Sequence, residues 1–77
     1  MALISDAAAG WSTPITLTAD EVWQTRNGSV FVTTTAAPDA NDGIALHESH
    51  AVRFSAGASV SYRKEGAAAA LIVREAV

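Results

Sequence analysis

The sequence contains no cysteine, which excludes disulfide bonds and thiolate zinc sites. Acidic residues outnumber basic ones, eight to five, and no basic run occurs, so we expect no nucleic-acid partner. Long apolar runs are absent as well. The longest, Ala67 to Val73, is too short to span a bilayer, so no membrane partner is expected.

The apolar content of the chain is large in number but small in volume. Of the 77 residues 49% are apolar, yet 17 residues are alanine and only five are aromatic. A chain of this length forms one domain, and a single core of this size rarely contributes more than about 3–5 kcal/mol. Since disulfides are excluded, we expect association with other subunits to supply part of the stability.

The first residues lack the features of a targeting signal. Met1–Asp6 has no basic start, and its apolar stretch ends at Asp6, too early for a secretory signal. We therefore expect the protein to be made in the cytoplasm.

Residues 1–14 are predicted to form an N-terminal arm, and residues 15–77 a β domain. In the arm, Gly10 and Pro14 bracket Trp11 without an apolar period behind it. A tryptophan in so short a segment needs a surface to lie on. That surface belongs either to this domain or to a neighbouring subunit, which makes Trp11 a candidate contact residue.

The clearest local signal is Asn27-Gly28, which lies between two runs of alternating apolar residues. Asn-Gly adopts the positive φ angles of a type I′ turn, so we predict a β-hairpin with a two-residue loop. The predicted core face of this hairpin carries Trp23, Thr25, Val30 and Val32. Phe31 lies on the opposite face, which leaves it available for contact with a partner.

A helix is the competing interpretation of the first of these runs. Thr18 and Glu21 fit the S/T-x-x-E capping box, and Gly28 could end a helix over residues 19–26. The two large apolar residues of this span are adjacent and form no helical stripe, which favours the strand.

Short strands and turns continue to the end of the chain. Alternation begins at Ile15, and residues 33–43 are predicted to form a surface loop, after which further alternating runs follow. These runs are 44–47, 51–55, 59–63 and 70–74. Their length and spacing predict an all-β fold, a small antiparallel β-sandwich or barrel-like sheet. The last run is ambiguous, because the alanines before it favour helix whereas Ile72 and Val73 favour strand.

No constellation of residues predicts a catalytic, cofactor or metal site. His47 and His50 are possible ligands, but residues three apart on a strand point to opposite faces, and no third strong ligand is nearby. Asp39–Gly43 departs from the calcium-loop pattern, which requires a later glycine and a distal glutamate. We therefore expect no enzymatic activity, no bound cofactor or metal, and no small-molecule substrate.

Arg53, Arg63 and Arg74 each occupy a polar position of a predicted strand. The favoured interpretation is that they are ordinary solvated strand residues that oppose aggregation. The alternative is an outward basic ladder, in which arginine suits bidentate pairing if the outer face meets an acidic partner. Together with Trp11 and Phe31 they are the candidate protein-contact residues.

Four segments of the chain share a pattern of hydrophobic alternation and turn residues. They are Val22–Val32, Ala36–Ile44, Ala51–Gly57 and Ala69–Val73. This pattern, which covers most of the chain from Val22 to Glu75, resembles the small all-β virion proteins of tailed bacteriophages, of the type that decorates or cements capsids.

The resemblance implies a structural protein of the virion that binds the major capsid protein at the capsid surface and stabilises the head shell. Because capsid cement proteins are often trimers, it also implies a homotrimer. It carries over no functional residue, since the shared pattern marks turns and core. The alternatives are another virion component, of tail, neck or spike, and a small ligand- or carbohydrate-binding module that stacks its ligand on Trp11, Trp23 or Tyr62.

Overall fold

The computed structural model describes residues 2–77, which form two four-stranded antiparallel sheets packed face to face, so the predicted all-β sandwich is confirmed. The strands are β1 (Ala2–Ile4), β2 (Ile15–Thr16), β3 (Glu21–Asn27), β4 (Ser29–Thr33), β5 (Ile44–Leu46), β6 (Ala51–Phe54), β7 (Ser59–Glu65) and β8 (Leu71–Ala76). Sheet I has the order β1-β8-β3-β6, and sheet II has the order β2-β7-β4-β5. Within this range no helix is long and apolar enough to cross a membrane.

The core lies between the sheets because side chains alternate along each strand. Trp23 and Ile72 of sheet I are fully buried, as is Val30 of sheet II. The Trp23 ring joins the sheets, since its centroid lies 5.5 Å from that of Phe54 in sheet I and 6.2 Å from that of Tyr62 in sheet II. All four residues of the predicted core face are at most 1% exposed, which confirms the orientation of both strands.

The predicted β-hairpin at Asn27-Gly28 is wrong, although both of its strands exist. β3 ends at Asn27 and β4 begins at Ser29, so Gly28 alone lies between them and no two-residue loop is present. β3 pairs with β6 and β8, whereas β4 pairs with β5 and β7. Gly28, with a φ of 67°, turns the chain from sheet I into sheet II. Trp23 and Val32 therefore enter the core from opposite sheets instead of lying side by side in one.

The other elements follow the sequence pattern. The span that could have been a helix is strand β3, and the ambiguous last run is strand β8. Residues 34–43 form the predicted loop, which joins β4 to β5 within sheet II. Every other connection between consecutive strands of the described chain crosses from one sheet to the other.

Residues 2–14 do not form an arm separate from the β domain. β1 pairs with β8 in sheet I, and Ile4 is only 6% exposed within the core. A strand of three residues shows no measurable period, so it could not be predicted from the sequence. Met1, the first residue of the predicted arm, lies outside the described residues.

The rest of the N-terminal segment runs along β7 in sheet II. The Lys64 N–H donates to the Ala8 carbonyl at 2.8 Å, and the Ser12 N–H donates to the Tyr62 carbonyl at 2.8 Å. These bonds lead directly into β2, which pairs with the start of β7. The N-terminal part of the chain thus supplies an edge strand to each sheet, β1 to sheet I and β2 to sheet II. Contact of this part with a neighbouring subunit stays a prediction.

We expect Ile4→Ala to lower the free energy of unfolding by about 2–5 kcal/mol, because it removes a buried side chain from the core. Urea denaturation measures this change. Ser5→Ala, at the next and exposed position, is the matched control and should change stability by less than about 0.5 kcal/mol. Equal small effects at both positions would place β1 outside the cooperatively folded domain.

Candidate protein-contact surface

Three of the five candidate contact residues come together on the outer face of sheet II. Arg63 on β7 lies opposite Phe31 on β4, so both side chains leave the sheet on the same side. The Arg63 guanidinium carbon is 4.2 Å from the centroid of the Phe31 ring and 5.2 Å from that of the Trp11 ring. Both distances are within the range of cation–π attraction. Trp11, Phe31 and Arg63 are called the contact cluster below.

Trp11 is fixed in the cluster by its ring and by the backbone beside it. The indole N–H donates to the Asp39 carbonyl at 2.8 Å. At the next residue, Ser12 Oγ accepts a hydrogen bond from the Tyr62 N–H at 3.0 Å. Gly43 has a φ of 95°, and a Cβ built there would lie 2.9 Å from the Trp11 Cη2 atom. Glycine is therefore required where the loop passes the ring.

The loop next to the cluster is braced by its own carboxylates and by Arg63. Asp42 Oδ2 accepts a hydrogen bond from the Asp39 N–H at 2.9 Å, and Asp39 Oδ1 accepts one from the Asn41 N–H at 2.8 Å. The Arg63 Nη2 donates to the Ala40 carbonyl at 3.0 Å. These are the local turns that a polar surface loop forms. Sheet and loop together hold the cluster in place before any partner binds.

The basic ladder, the less favoured interpretation of the three arginines, does not form, because they lie on different surfaces. Arg53 on β6 lies opposite Val22, which places it on the outer face of sheet I. Arg74 on β8 lies opposite Trp23 and shares its inward face, whereas Arg63 is in sheet II. Neighbouring strands could not be inferred from sequence order, since most consecutive strands belong to different sheets.

Arg74 is bound inside the molecule and is not free to bind a partner. Its Nε and Nη2 donate to Glu21 Oε1 and Oε2 at 2.9 and 3.0 Å, and Glu21 Oε1 also accepts from the Trp23 indole N–H at 3.0 Å. The guanidinium carbon lies 5.2 Å from the Trp23 ring centroid. The hydrogen bonds that Arg74 donates to Glu21 hold the pKa of the Glu21 carboxyl below its usual value. This group closes one end of the core.

Arg53 pairs with Asp20 at the exposed edge of sheet I. Its Nη2 lies 3.0 Å from Asp20 Oδ2, and the two side chains are 64% and 41% exposed. The Ala56 N–H donates to the other carboxylate oxygen at 2.8 Å. That bond first, and Arg53 second, lower the pKa of Asp20. Exposed pairs contribute little to stability, and this one lies on the sheet opposite the contact cluster, so Arg53 takes no part in that cluster.

His47 and His50 approach each other at the edge of sheet II. Their ring centroids are 5.5 Å apart, and the His50 Nδ1 accepts a hydrogen bond from the His47 N–H at 3.2 Å. His47 Nδ1 lies 3.0 Å from Ser29 Oγ and 4.0 Å from Glu65 Oε1. Residues 2–77 contain no group of three His, Cys, Asp or Glu side chains placed to hold a metal ion.

A groove of about 460 Å³ lies beside Trp11, between the N-terminal segment and β7. At its base the Tyr62 hydroxyl donates to Asp6 Oδ1 at 2.7 Å. Burial, and secondly this bond, raise the pKa of Tyr62 to about 12, so the hydroxyl keeps its proton at neutral pH. The hydrogen bond between Tyr62 and Asp6 holds the N-terminal segment against sheet II.

Asp6, Asp39 and Gly43 could not be predicted from the sequence as parts of this surface. The bond from Trp11 to Asp39 joins residues 28 positions apart, and that from Tyr62 to Asp6 joins residues 56 apart. A single sequence carries no pattern for contacts at such separations. The Asn-Asp-Gly signal before Ile44 could be read locally, but it predicts a turn and says nothing about the ring beside it.

Comparison with known proteins identifies no relative. No protein-family model, curated protein or solved structure matches this chain. The virion class implied by the sequence pattern therefore stays a hypothesis.

We expect Glu21→Gln to lower the free energy of unfolding by about 1–3 kcal/mol at pH 7, because it leaves Arg74 without a charged partner at the end of the core. The pKa of Glu21 is lowered by folding, so its contribution is present above the usual value of 4.5 and is lost as the pH falls further. The difference between the two proteins should thus shrink below about pH 4.5. Urea denaturation across a pH series measures it.

Glu48→Gln is the control, because Glu48 is exposed in the turn between β5 and β6. It should leave stability nearly unchanged at every pH. If Glu21→Gln keeps the full pH dependence of the original protein, the pair between Glu21 and Arg74 does not stabilise the fold.

Proposed function

We propose that this protein is a structural protein of a tailed-bacteriophage particle, a decoration or cement protein that binds the major capsid protein and stabilises the head shell. The observation that carries the proposal is the contact cluster, an arginine held beside two aromatic rings on the outer face of a sheet. The sequence pattern supports the class of particle, and the cluster supports binding to a protein surface. No catalytic step forms part of the proposal.

The residue types of the contact cluster are those that dominate protein–protein binding. Aromatic residues and arginine are enriched at protein interfaces. Where such a residue is a hot spot, its truncation lowers the binding free energy by about 2 kcal/mol or more. The sheet and the loop hold Trp11 and Arg63 in place, so little side-chain entropy is lost on binding. The Arg63 Nε is buried without a partner, so the terminal Nη groups are the donors that suit a carboxylate on the capsid.

Decoration of a shell requires many modest contacts rather than one strong one. The chain is weakly charged, with 17% charged residues and a net charge of −3, which suits close packing of repeated subunits. Contacts made by neighbouring copies reinforce one another, because each bound copy raises the effective concentration of the next contact. Self-association belongs to this proposal, and the trimer is the arrangement that the resemblance implies.

A small ligand-binding module is the second candidate, favoured by the groove beside Trp11. Of the three rings considered as stacking platforms, Trp23 is 0% and Tyr62 is 6% exposed, so neither can receive a ligand. Trp11 remains, with one contact already made by Arg63. Because Trp11 is the one ring of the three left for stacking and already contacts Arg63, we rank the ligand-binding module below the virion protein.

The location of the protein in purified phage particles tests the assignment. Electron cryomicroscopy and quantitative mass spectrometry should find many copies spread over the head shell. A few copies confined to the tail or neck would reject the cement assignment and keep the virion class. Absence from the particles would reject both.

We expect Arg63→Ala to weaken binding to capsids that lack the protein by at least about tenfold, since it removes the centre of the contact cluster. Arg53→Ala is the matched control, because it removes an exposed arginine from the other sheet, and it should leave binding nearly unchanged. Circular dichroism verifies that both variants are folded. Equal binding by the two variants would mean that the contact cluster does not attach the protein to the capsid.

A further inference from the structure

An apolar patch lies on the outer face of sheet I. Leu3 of β1 lies opposite Val73 of β8, and both residues alternate with core residues on their strands. Leu71 precedes Val73 on the same face of β8. A depression of about 370 Å³ lies among these three residues, with Arg26 at its rim. Leu3 is 57% exposed and Leu71 is half-buried, whereas Val73 is 7% exposed. Leu3, Leu71 and Val73 are called the sheet I patch below.

Opposite charges mark the two ends of this face. Arg26 lies at the Leu71 end, and Glu75 lies four residues farther along β8, opposite Val22. Both charged residues are exposed, and neither forms an ion pair with any residue from 2 to 77. At about 3.3 Å per residue, four strand residues separate the two ends by about 13 Å. Arg53 lies in the same row as Glu75 but is paired with Asp20, so this end keeps a net negative charge, whereas the Arg26 end is positive. The middle of the face carries the sheet I patch with Gln24 beside it.

We propose that a second copy of this chain covers the sheet I patch, in a two-fold, face-to-face dimer whose facing strands run in opposite directions. In this arrangement Arg26 of each copy approaches Glu75 of the other, and the apolar middles meet. With facing strands parallel, Arg26 would approach Arg26 and Glu75 would approach Glu75, and like charges across an interface are unfavourable. The charges thus select one orientation.

The dimensions of the molecule suit such a dimer. It measures 31 × 25 × 17 Å, and a broad face of that size matches the roughly 800 Å² per partner of a standard interface. A two-fold interface uses the same residues twice, so one arginine and one glutamate per chain form two symmetric pairs. Burial of Leu3 adds apolar contact area to a chain whose own core is small.

The test is the mass of the full chain in solution over a concentration series, by light scattering and sedimentation. A dimer has twice the 7.9 kDa mass of the chain. Arg26→Glu and Glu75→Arg should each raise the dimer Kd at least about tenfold, because each brings like charges together. The double variant with both changes should restore most of the original affinity, since the two charges exchange places.

Ile44→Asp is the matched control. Ile44 is also an exposed aliphatic residue, 50% exposed, but it lies on β5 of sheet II. It should leave the dimer Kd unchanged, whereas Leu3→Asp should raise it at least about tenfold.

Recovery of the dimer in the double variant establishes the antiparallel contact through sheet I. A monomer at every concentration, a trimer, a double variant as weak as the single ones, or loss of the dimer in Ile44→Asp would each overturn it. The dimer takes the place of the trimer that the resemblance implies, and the mass in solution distinguishes the two. The inference does not depend on capsid binding: absence of the protein from phage particles would reject the proposed function and leave the dimer intact.

Discussion

The buried indole of Trp23 is the contact on which the rest of the sandwich depends. Its ring packs against Phe54 in its own sheet and Tyr62 in the other, and its N–H is satisfied by Glu21. Arg74 closes over the same ring while it binds that carboxylate with two hydrogen bonds. In a chain rich in alanine, one large side chain fills the space that several leucines fill in a larger core.

The inward positions determine which residues are left for the two outer faces. Because Val30 and Val32 enter the core, Phe31 between them must face outward, where it meets Arg63 on the next strand. In sheet I, the inward Ile72 likewise leaves Val73 on the outer face, opposite Leu3. One outer face therefore offers a cation held beside aromatic rings, and the other offers an apolar patch with charged ends.

Alternation along single strands could be read from the sequence, and pairing between strands could not. The inward orientation of Trp23 and the outward orientation of Phe31 were predicted through the register of a hairpin that does not form. They hold because alternation along each strand is independent of how the strands pair. Asn27-Gly28 correctly marked a change of direction, but a turn signal does not state whether the chain returns in the same sheet or crosses to the other. The grouping of Arg63 with Trp11 and its separation from Arg74 depend on strand order, for which a single sequence holds no signal.

We propose that the contact cluster attaches the protein to the phage capsid, and photo-crosslinking in assembled particles tests this attachment. A benzophenone-bearing phenylalanine analogue at position 31 places the probe beside Arg63, and the same analogue at Phe54 serves as a control packed against Trp23. We expect crosslinks from position 31 to the major capsid protein and none from position 54. Crosslinks from position 31 to other proteins alone, or equal yields from both positions, would contradict it.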